Sequence, residues 1–355
     1  MRVAGAMLAL VLGASPVSAG DVVGFDRIIA AAIQDFIVPG YERLTRAAGS
    51  TEAAVRDLCA APSPARLEAA RTAFGDAVAA HAAVEVVRFG PVREANRQER
   101  LNFWPDRKGL GLRQVQQIIA AGQTPSSSDL AAKSVAVQGL GALEYVLFGD
   151  GAAALAGPPG AARCAFGSAI AGALRTTADE ILADWRADGG AGARMLSPGP
   201  DNPLHRSQTE VLQTLIKALT EELQFLSDTK IKAVLGASPD EVREKRAPFW
   251  RSGQTRRVLE ENAASVTLLF ETAQMALALD KPESSMPQAI AFDMRQARAA
   301  IGRVEEPFEK GIATATGHEL LRFATIALDD AKQIIGERYA ADIGATLGFN
   351  SLDGD

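Results

Sequence analysis

Residues 135–149, VAVQGLGALEYVLFG, decide how the rest of the chain is interpreted. Their apolar residues recur three and four positions apart, which predicts a helix with one packed face. That face holds Val137, Leu140, Gly141, Glu144, Leu147 and Phe148. Glu144 is its only ionisable residue, and a buried carboxylate without a partner is costly enough that it normally pairs with a cation or takes up a proton. Another part of the chain must therefore supply a partner for Glu144.

Similar helical patterns fill the remaining sequence. Aromatic residues make up only 6% of the chain and long alternating runs of β-branched residues are missing, which favours an all-α fold. Ser63 and Pro64 are typical of a helix start, whereas Pro39 and Gly40 predict a break or kink in the first helix. The predicted helices span 23–48, 64–89, 110–121, 135–149, 161–187, 204–226, 258–279, 287–304 and 318–339.

Two regions of the sequence indicate how these helices are divided into domains. Residues 1–19 contain an apolar run and end in Val17-Ser18-Ala19, a pattern typical of a secretory signal cleaved before Gly20. The glycine- and proline-rich stretch GDGAAALAGPPG predicts a linker, assigned to residues 151–160. We therefore expect a signal peptide (1–19), an N-terminal helical bundle (20–150) and a C-terminal helical bundle (161–355).

The predicted signal and the charge balance set expectations for location and partners. The apolar run is too short to span a bilayer, and no cysteine lies near the cleavage point for a lipid anchor. We therefore expect an exported, periplasmic protein with no transmembrane segment in the mature chain. The sequence has 37 basic and 43 acidic residues, a formal charge of −6. Such an acidic chain is a poor candidate for binding nucleic acid.

The chain has two cysteines, Cys59 and Cys164. Export would permit a disulfide between them. Two buried free thiols are the alternative, since unpaired cysteines are often buried. The sequence leaves both interpretations open.

The second predicted helix carries polar groups that are candidate partners for Glu144. Its packed face begins apolar and then continues through His81, Glu85 and Arg88, which helical spacing places on one side. Carboxylates and an imidazole suit a transition metal, so Glu144, His81 and Glu85 form a candidate metal site. A buried ion network with a structural role is the alternative.

The arginine-rich loop after this helix adds candidate ligand-binding residues. It contains Arg97 and the rigid segment that carries Trp104 and Asp106. A matching Phe-Trp pair in the second half of the chain is followed directly by Arg251. Arginine side chains in such loops bind an anionic ligand or neutralise neighbouring acids. We predict a ligand site that draws on these residues together with Glu144, His81, Glu85 and Arg88.

Several stretches resemble the imelysin-like family, bacterial cell-envelope proteins associated with iron uptake whose founding members were described as peptidases. The family's signature helix reads G-x-H-x-x-E; here Gly139 and Glu144 match, and Gly141 stands at the histidine position. Residues 89–110 (FGPVREANRQERLNFWPDRKGL), 247–253 (APFWRSG) and 348–355 (GFNSLDGD) resemble the branch of predicted lipoproteins, which commonly lacks that histidine. The resemblance implies two four-helix-type bundles related by duplication, with a site near their interface.

Three functional hypotheses follow. The first is a non-enzymatic binding or accessory protein of iron acquisition, which binds a metal ion or an iron chelate and works with a cell-envelope iron-transport protein. The second is a metal-dependent peptidase in which Glu144 is a ligand or general base and His81 supplies the missing imidazole. The third is a decayed site in a protein that only binds a protein partner. Because the signature histidine is absent, the first hypothesis is favoured, with iron or another divalent metal ion as the expected cofactor.

Overall fold

The computed structural model describes residues 24–281 and 284–345. Within these ranges the chain is helical and has no strand, so the predicted all-α class is confirmed. The predicted signal peptide and the ending 348–355 lie outside the described residues. The first α-helices are α1 (Phe25–Ala31), α2 (Val38–Ala60), α3 (Pro64–Val84), α4 (Arg97–Leu101), α5 (Leu110–Ala120), α6 (Ser127–Ala131), α7 (Gly139–Phe148) and α8 (Ala161–Arg186). The later ones are α9 (Ala191–Leu196), α10 (Gln208–Gln224), α11 (Ala233–Leu235), α12 (Thr255–Thr272), α13 (Met286–Gly302), α14 (Phe308–Gly311), α15 (Ala315–Gln333) and α16 (Ala340–Asp342).

Three π-helical segments join some of these helices within the described residues: Ala32–Ile37, Phe225–Lys232 and Ile334–Tyr339. The first replaces the predicted break at Pro39, because α1 and α2 continue through it. A proline ring clashes with the carbonyl four residues earlier, here that of Asp35, and the wider π turn relieves this clash. The helix also continues past residue 48 to Ala60, where Thr51 is buried and bonds the carbonyls of Ala47 and Ala73.

Of two helix starts, one is set by the local sequence and the other by a tertiary contact. Ser63 caps α3 by accepting a hydrogen bond from the backbone N–H of Arg66, and Pro64 is the first helical residue, as predicted. The predicted helix 135–149 is shorter, since its α-helical part begins at Gly139. Gly139 has φ +70°, and a Cβ there would lie 2.4 Å from two backbone carbonyl oxygens. The tight approach to the α4 segment therefore sets the start of α7.

The packed helices share one continuous hydrophobic core. Helix α2 packs against α3 and α8, α12 packs against α3 and α13, and α13 packs against α15. The sulfur atoms of Cys59 and Cys164 are bonded, which ties the end of α2 to α8. Ala152 and Leu155 of the glycine-rich stretch are buried. The domain boundaries and the relation of the two halves by duplication stay predictions.

None of the helices within the described ranges combines the length and apolar character needed to cross a bilayer.

Candidate functional site

Helix α7 carries Glu144 into the interior, where the residue is only 4% exposed. Its partner comes from a loop more than 100 residues later. The backbone N–H and the hydroxyl of Ser252 lie 3.0 and 2.9 Å from Glu144 Oε1. Arg251 Nη1 lies 3.9 Å from the other carboxylate oxygen. Burial raises the pKa of Glu144, although the hydrogen bonds from Ser252 and the charge of Arg251 oppose this shift.

The loop at 247–253 places these two residues through an unusual backbone. Phe249 has φ +55°, in the left-handed region that bulky residues rarely adopt. Such a residue costs on the order of 1–2 kcal/mol. Its buried ring packs edge-on against Phe74, which holds the conformation in place. Strain of this kind is found where a loop must deliver functional groups, and here it presents Arg251 and Ser252 to Glu144.

A cavity of about 410 Å³ opens beside Glu144. Its walls come from the segment 103–112, from α7, from the π-helical segment Phe225–Lys232 with α11, and from the loop 245–251. Five aromatic side chains line it: Phe103, Trp104, Tyr145, Phe249 and Trp250. A volume of this size is typical of sites for small molecules. We name it the central cavity.

Basic side chains outnumber acidic ones in the lining of the central cavity. Four basic residues, Arg107, Lys245, Arg246 and Arg251, line it with two acidic residues, Asp106 and Glu144. Both carboxylates are engaged, since the Asp106 oxygens accept hydrogen bonds from the backbone of Leu110 and Leu112 at the start of α5. The guanidinium of Arg251 lies 4.4 Å from the ring centroid of Trp250 and 5.6 Å from that of Tyr145, which fixes its position. The cavity therefore presents a net positive lining with a pre-positioned arginine.

His81, Glu85 and Arg88 come together elsewhere, in a group that we name the buried ion cluster, completed by Glu222, Lys230 and Asn262. Lys230 Nζ lies 2.6 Å from both Glu85 Oε2 and Asn262 Oδ1. Arg88 Nη2 lies 3.1 Å from Glu222 and 3.4 Å from Glu85. Burial lowers the pKa of His81, with Lys230 and Arg88 adding to the effect and Glu85 opposing it.

The prediction that Glu144, His81 and Glu85 share one metal site is wrong in its geometry. Glu144 bonds Ser252, whereas Glu85 bonds Lys230. Within residues 24–281 and 284–345, no group of three or more His, Cys, Asp or Glu side chains is arranged to hold a metal ion. The helix α3 residues form the ion network that was the alternative interpretation, and they do not supply the partner of Glu144.

The remaining candidates from the sequence fall in three places. Arg97 does not line the central cavity; it lies 2.6 Å from Asp184 and 3.3 Å from Glu180 on α8. Asp106 lines the cavity and caps α5, and Arg251 lines it beside Glu144. Trp104 lines the central cavity and also a small cavity of about 30 Å³ at the buried ion cluster.

Several residues of these sites were not predicted from the sequence. Ser252 follows Arg251 directly, and only its position in the stretch APFWRSG marked it. Lys245 and Arg246 precede the same stretch and have the composition of an ordinary exposed turn. Lys230 stands two residues before Lys232, and the sequence gives no signal that the first is buried and the second is not.

Glu144 allows a paired test of what the buried carboxyl group does. Its folded-state pKa is raised, so the ionised group lowers folded-state stability above the ordinary value of 4.5, and this loss disappears at lower pH. Glu144→Gln keeps an acceptor for Ser252 without the charge. We expect its free energy of unfolding at pH 7 to equal or exceed that of the wild type. Near pH 4 the variant should be no more stable than the wild type.

The matched variant is Glu144→Ala, which removes the acceptor for both donors of Ser252 and should lower the free energy of unfolding by about 1–3 kcal/mol. Urea titrations of the three proteins at both pH values give these differences. Equal destabilisation by Gln and Ala would show that the negative charge, and not the hydrogen-bond acceptor, is what the site requires.

Comparisons with known proteins identify the family to which the chain belongs. The family model described as imelysin, peptidase M75, matches residues 37–335. No curated protein sequence matches the chain. An imelysin-like protein from Psychrobacter arcticum 273-4 has a similar crystal structure, with a TM-score of 0.76 and 20% identity over 92% of this chain and 98% of that one. A putative iron-regulated protein A precursor from Parabacteroides distasonis ATCC 8503 gives a TM-score of 0.77 and 15% identity over 90% and 95% of the two chains. The chain therefore belongs to the imelysin family.

Proposed function

We propose that this imelysin-family protein is an exported, non-enzymatic binding or accessory protein of iron acquisition, and that its central cavity binds a negatively charged iron chelate. The observation that carries the proposal is the charge of the cavity. Arg107, Lys245 and Arg246 have no carboxylate partner within the described residues. A cavity whose carboxylates are engaged and whose cations are not is complementary to an anion.

Arg251 is the residue best placed to bind the anion. Its contact with Glu144 is long, at 3.9 Å, so most of its N–H donors stay available. The cation–π contact with Trp250, at 4.4 Å from the ring centroid, limits the movement of the guanidinium group, which lowers the entropy lost on binding. Arginine forks match carboxylate geometry in a bidentate manner. Carboxylate-rich iron chelates therefore fit this lining.

The connection to iron comes from the family and from its relatives. The structural neighbour from Parabacteroides distasonis is described as a putative iron-regulated protein A precursor. The proposed partner is a cell-envelope iron-transport protein that delivers or receives the chelate. The predicted signal peptide supports export.

Calorimetric titration of the chain from Gly20 onward tests the proposal, with ferric citrate, citrate alone and ferrous iron as probes. Saturable binding of ferric citrate, stronger than that of citrate alone, is the expected result. Binding of ferrous iron without binding of the chelate would contradict the proposal and indicate a site for the bare cation.

Replacing Arg251 with Met should weaken ferric citrate binding about 10- to 100-fold, because hydrogen bonds between charged groups contribute about 1.5–3 kcal/mol. The methionine keeps the apolar contact with Trp250 and removes the charge. Arg243→Met is the matched control, since Arg243 is an exposed arginine of the same region outside the cavity lining. Equal affinities for the two variants would remove Arg251 from the binding site.

The peptidase hypothesis needs His81 beside Glu144, and the structure places His81 with Glu85 in the buried ion cluster. Hydrolysis of peptides by the purified protein, lost with a chelator and in Glu144→Ala, would favour that hypothesis over the binding function.

A further inference from the structure

A second concave surface lies between α12 and α13, separate from the central cavity. This groove measures about 340 Å³ and is lined mainly by apolar side chains, including Phe270, Leu277 and Ile290. Leu277 is 45% exposed although its side chain is large and apolar. Apolar side chains grouped on a surface in this way usually mark a place where another segment or molecule binds.

The chain leaves the described structure directly beside this groove. The ring of Tyr339 packs edge-on against Phe270, with 5.4 Å between centroids, and its hydroxyl donates to the carbonyl of Met275 at 2.7 Å. Three residues further on, Asp342 accepts a hydrogen bond from the backbone N–H of Asp280 at 3.1 Å. Residues 346–355 therefore begin next to the groove.

We propose that residues 346–355, TLGFNSLDGD, bind in this groove and cover it. In an extended segment, side chains two apart point to the same side, so Leu347 and Phe349 can face the apolar floor together. Ten extended residues span up to about 33 Å, which is ample for a groove that adjoins their starting point. The acidic end of the segment, with Asp353 and Asp355, can pair with the exposed Arg295, one turn along α13 from the groove.

Deleting residues 346–355 tests the proposal, because it should uncover the groove. We expect increased fluorescence of an apolar dye, reversal of this increase by the synthetic peptide TLGFNSLDGD, and a Tm lower by about 3–6 °C from the loss of apolar burial. Circular dichroism checks that both proteins are folded. Phe349→Ala should reproduce most of the effect, whereas the neighbouring Asn350→Ala should have none.

A separate variant keeps the chain at full length. Ala276 is an exposed groove residue, and Ala276→Arg should displace the segment and increase dye binding in the same way. Unchanged dye binding after the deletion would overturn the proposal. Three other results would also overturn the proposal. One is a peptide with Phe349 replaced by Ala that competes as well as the original peptide. The others are a groove that is uncovered only by deleting residues 20–23, and a concentration-dependent dimer that dissociates in Ala276→Arg. The groove shares no lining residue with the central cavity, so these results are independent of the proposed function.

Discussion

Lys230→Met is expected to lower the free energy of unfolding by about 3–5 kcal/mol, the usual effect of removing one partner from a buried ion pair. Lys230 is 2% exposed and holds Glu85 and Asn262 at 2.6 Å each. Without the ammonium group, the Glu85 carboxylate keeps only the longer contact with Arg88 and the amide of Asn262. Urea-induced unfolding at pH 7 measures the difference.

Lys232→Met is the control, since this lysine lies two residues away and forms exposed ion pairs with Asp228 and Asp329. Surface pairs contribute about 1 kcal/mol or less. If the two variants lost the same stability, the buried ion cluster would not contribute as its geometry indicates.

The same cluster predicts a pH dependence. Burial raises the pKa of Glu85, but the charges of Lys230, His81 and Arg88 and the hydrogen bond from Lys230 outweigh burial and hold it at about 2. The folded-state value is therefore below the ordinary 4.5, so this stabilisation is present above 4.5 and is lost as the pH falls towards 2. We expect a wild-type stability decline over that range that is smaller in Lys230→Met.

Loss of the disulfide is the second large expected effect. Cys59 and Cys164 are separated by 105 residues, and a closed loop of this length stabilises the folded state by about 4.7 kcal/mol in the chain-entropy model. The double variant Cys59→Ser, Cys164→Ser should therefore unfold at a much lower urea concentration. Adding dithiothreitol should lower wild-type stability to a similar value and leave the double variant unchanged. A wild type that is insensitive to reduction would contradict the prediction.

Local signals predicted well those features that depend on neighbouring residues. Ser63 and Pro64 fix the start of α3 because a cap and a pre-set φ act within one turn. The start of α7 was predicted too early, since it depends on how closely Gly139 approaches the backbone at residues 100 and 101. That approach is a tertiary contact, which helical spacing does not show.

The partner of Glu144 depends on the same kind of information. Helical spacing indicated that a partner was needed, and the polar face of α3 offered candidate partners. The actual partner, Ser252, follows a left-handed Phe249 in an irregular loop that has no periodicity to interpret. Lys230 was missed because the predicted helix ended at residue 226, whereas the chain stays helical through the π-helical segment Phe225–Lys232, in which Lys230 is buried.

Iron anomalous scattering from crystals of the protein soaked in ferric citrate would show directly whether the central cavity binds the chelate. We expect an anomalous peak inside the central cavity, with chelate carboxylates bonded to Arg251 and near Arg107, Lys245 or Arg246. A peak at the buried ion cluster or on the outer surface, with the central cavity free of chelate at a concentration that saturates binding in solution, would contradict it.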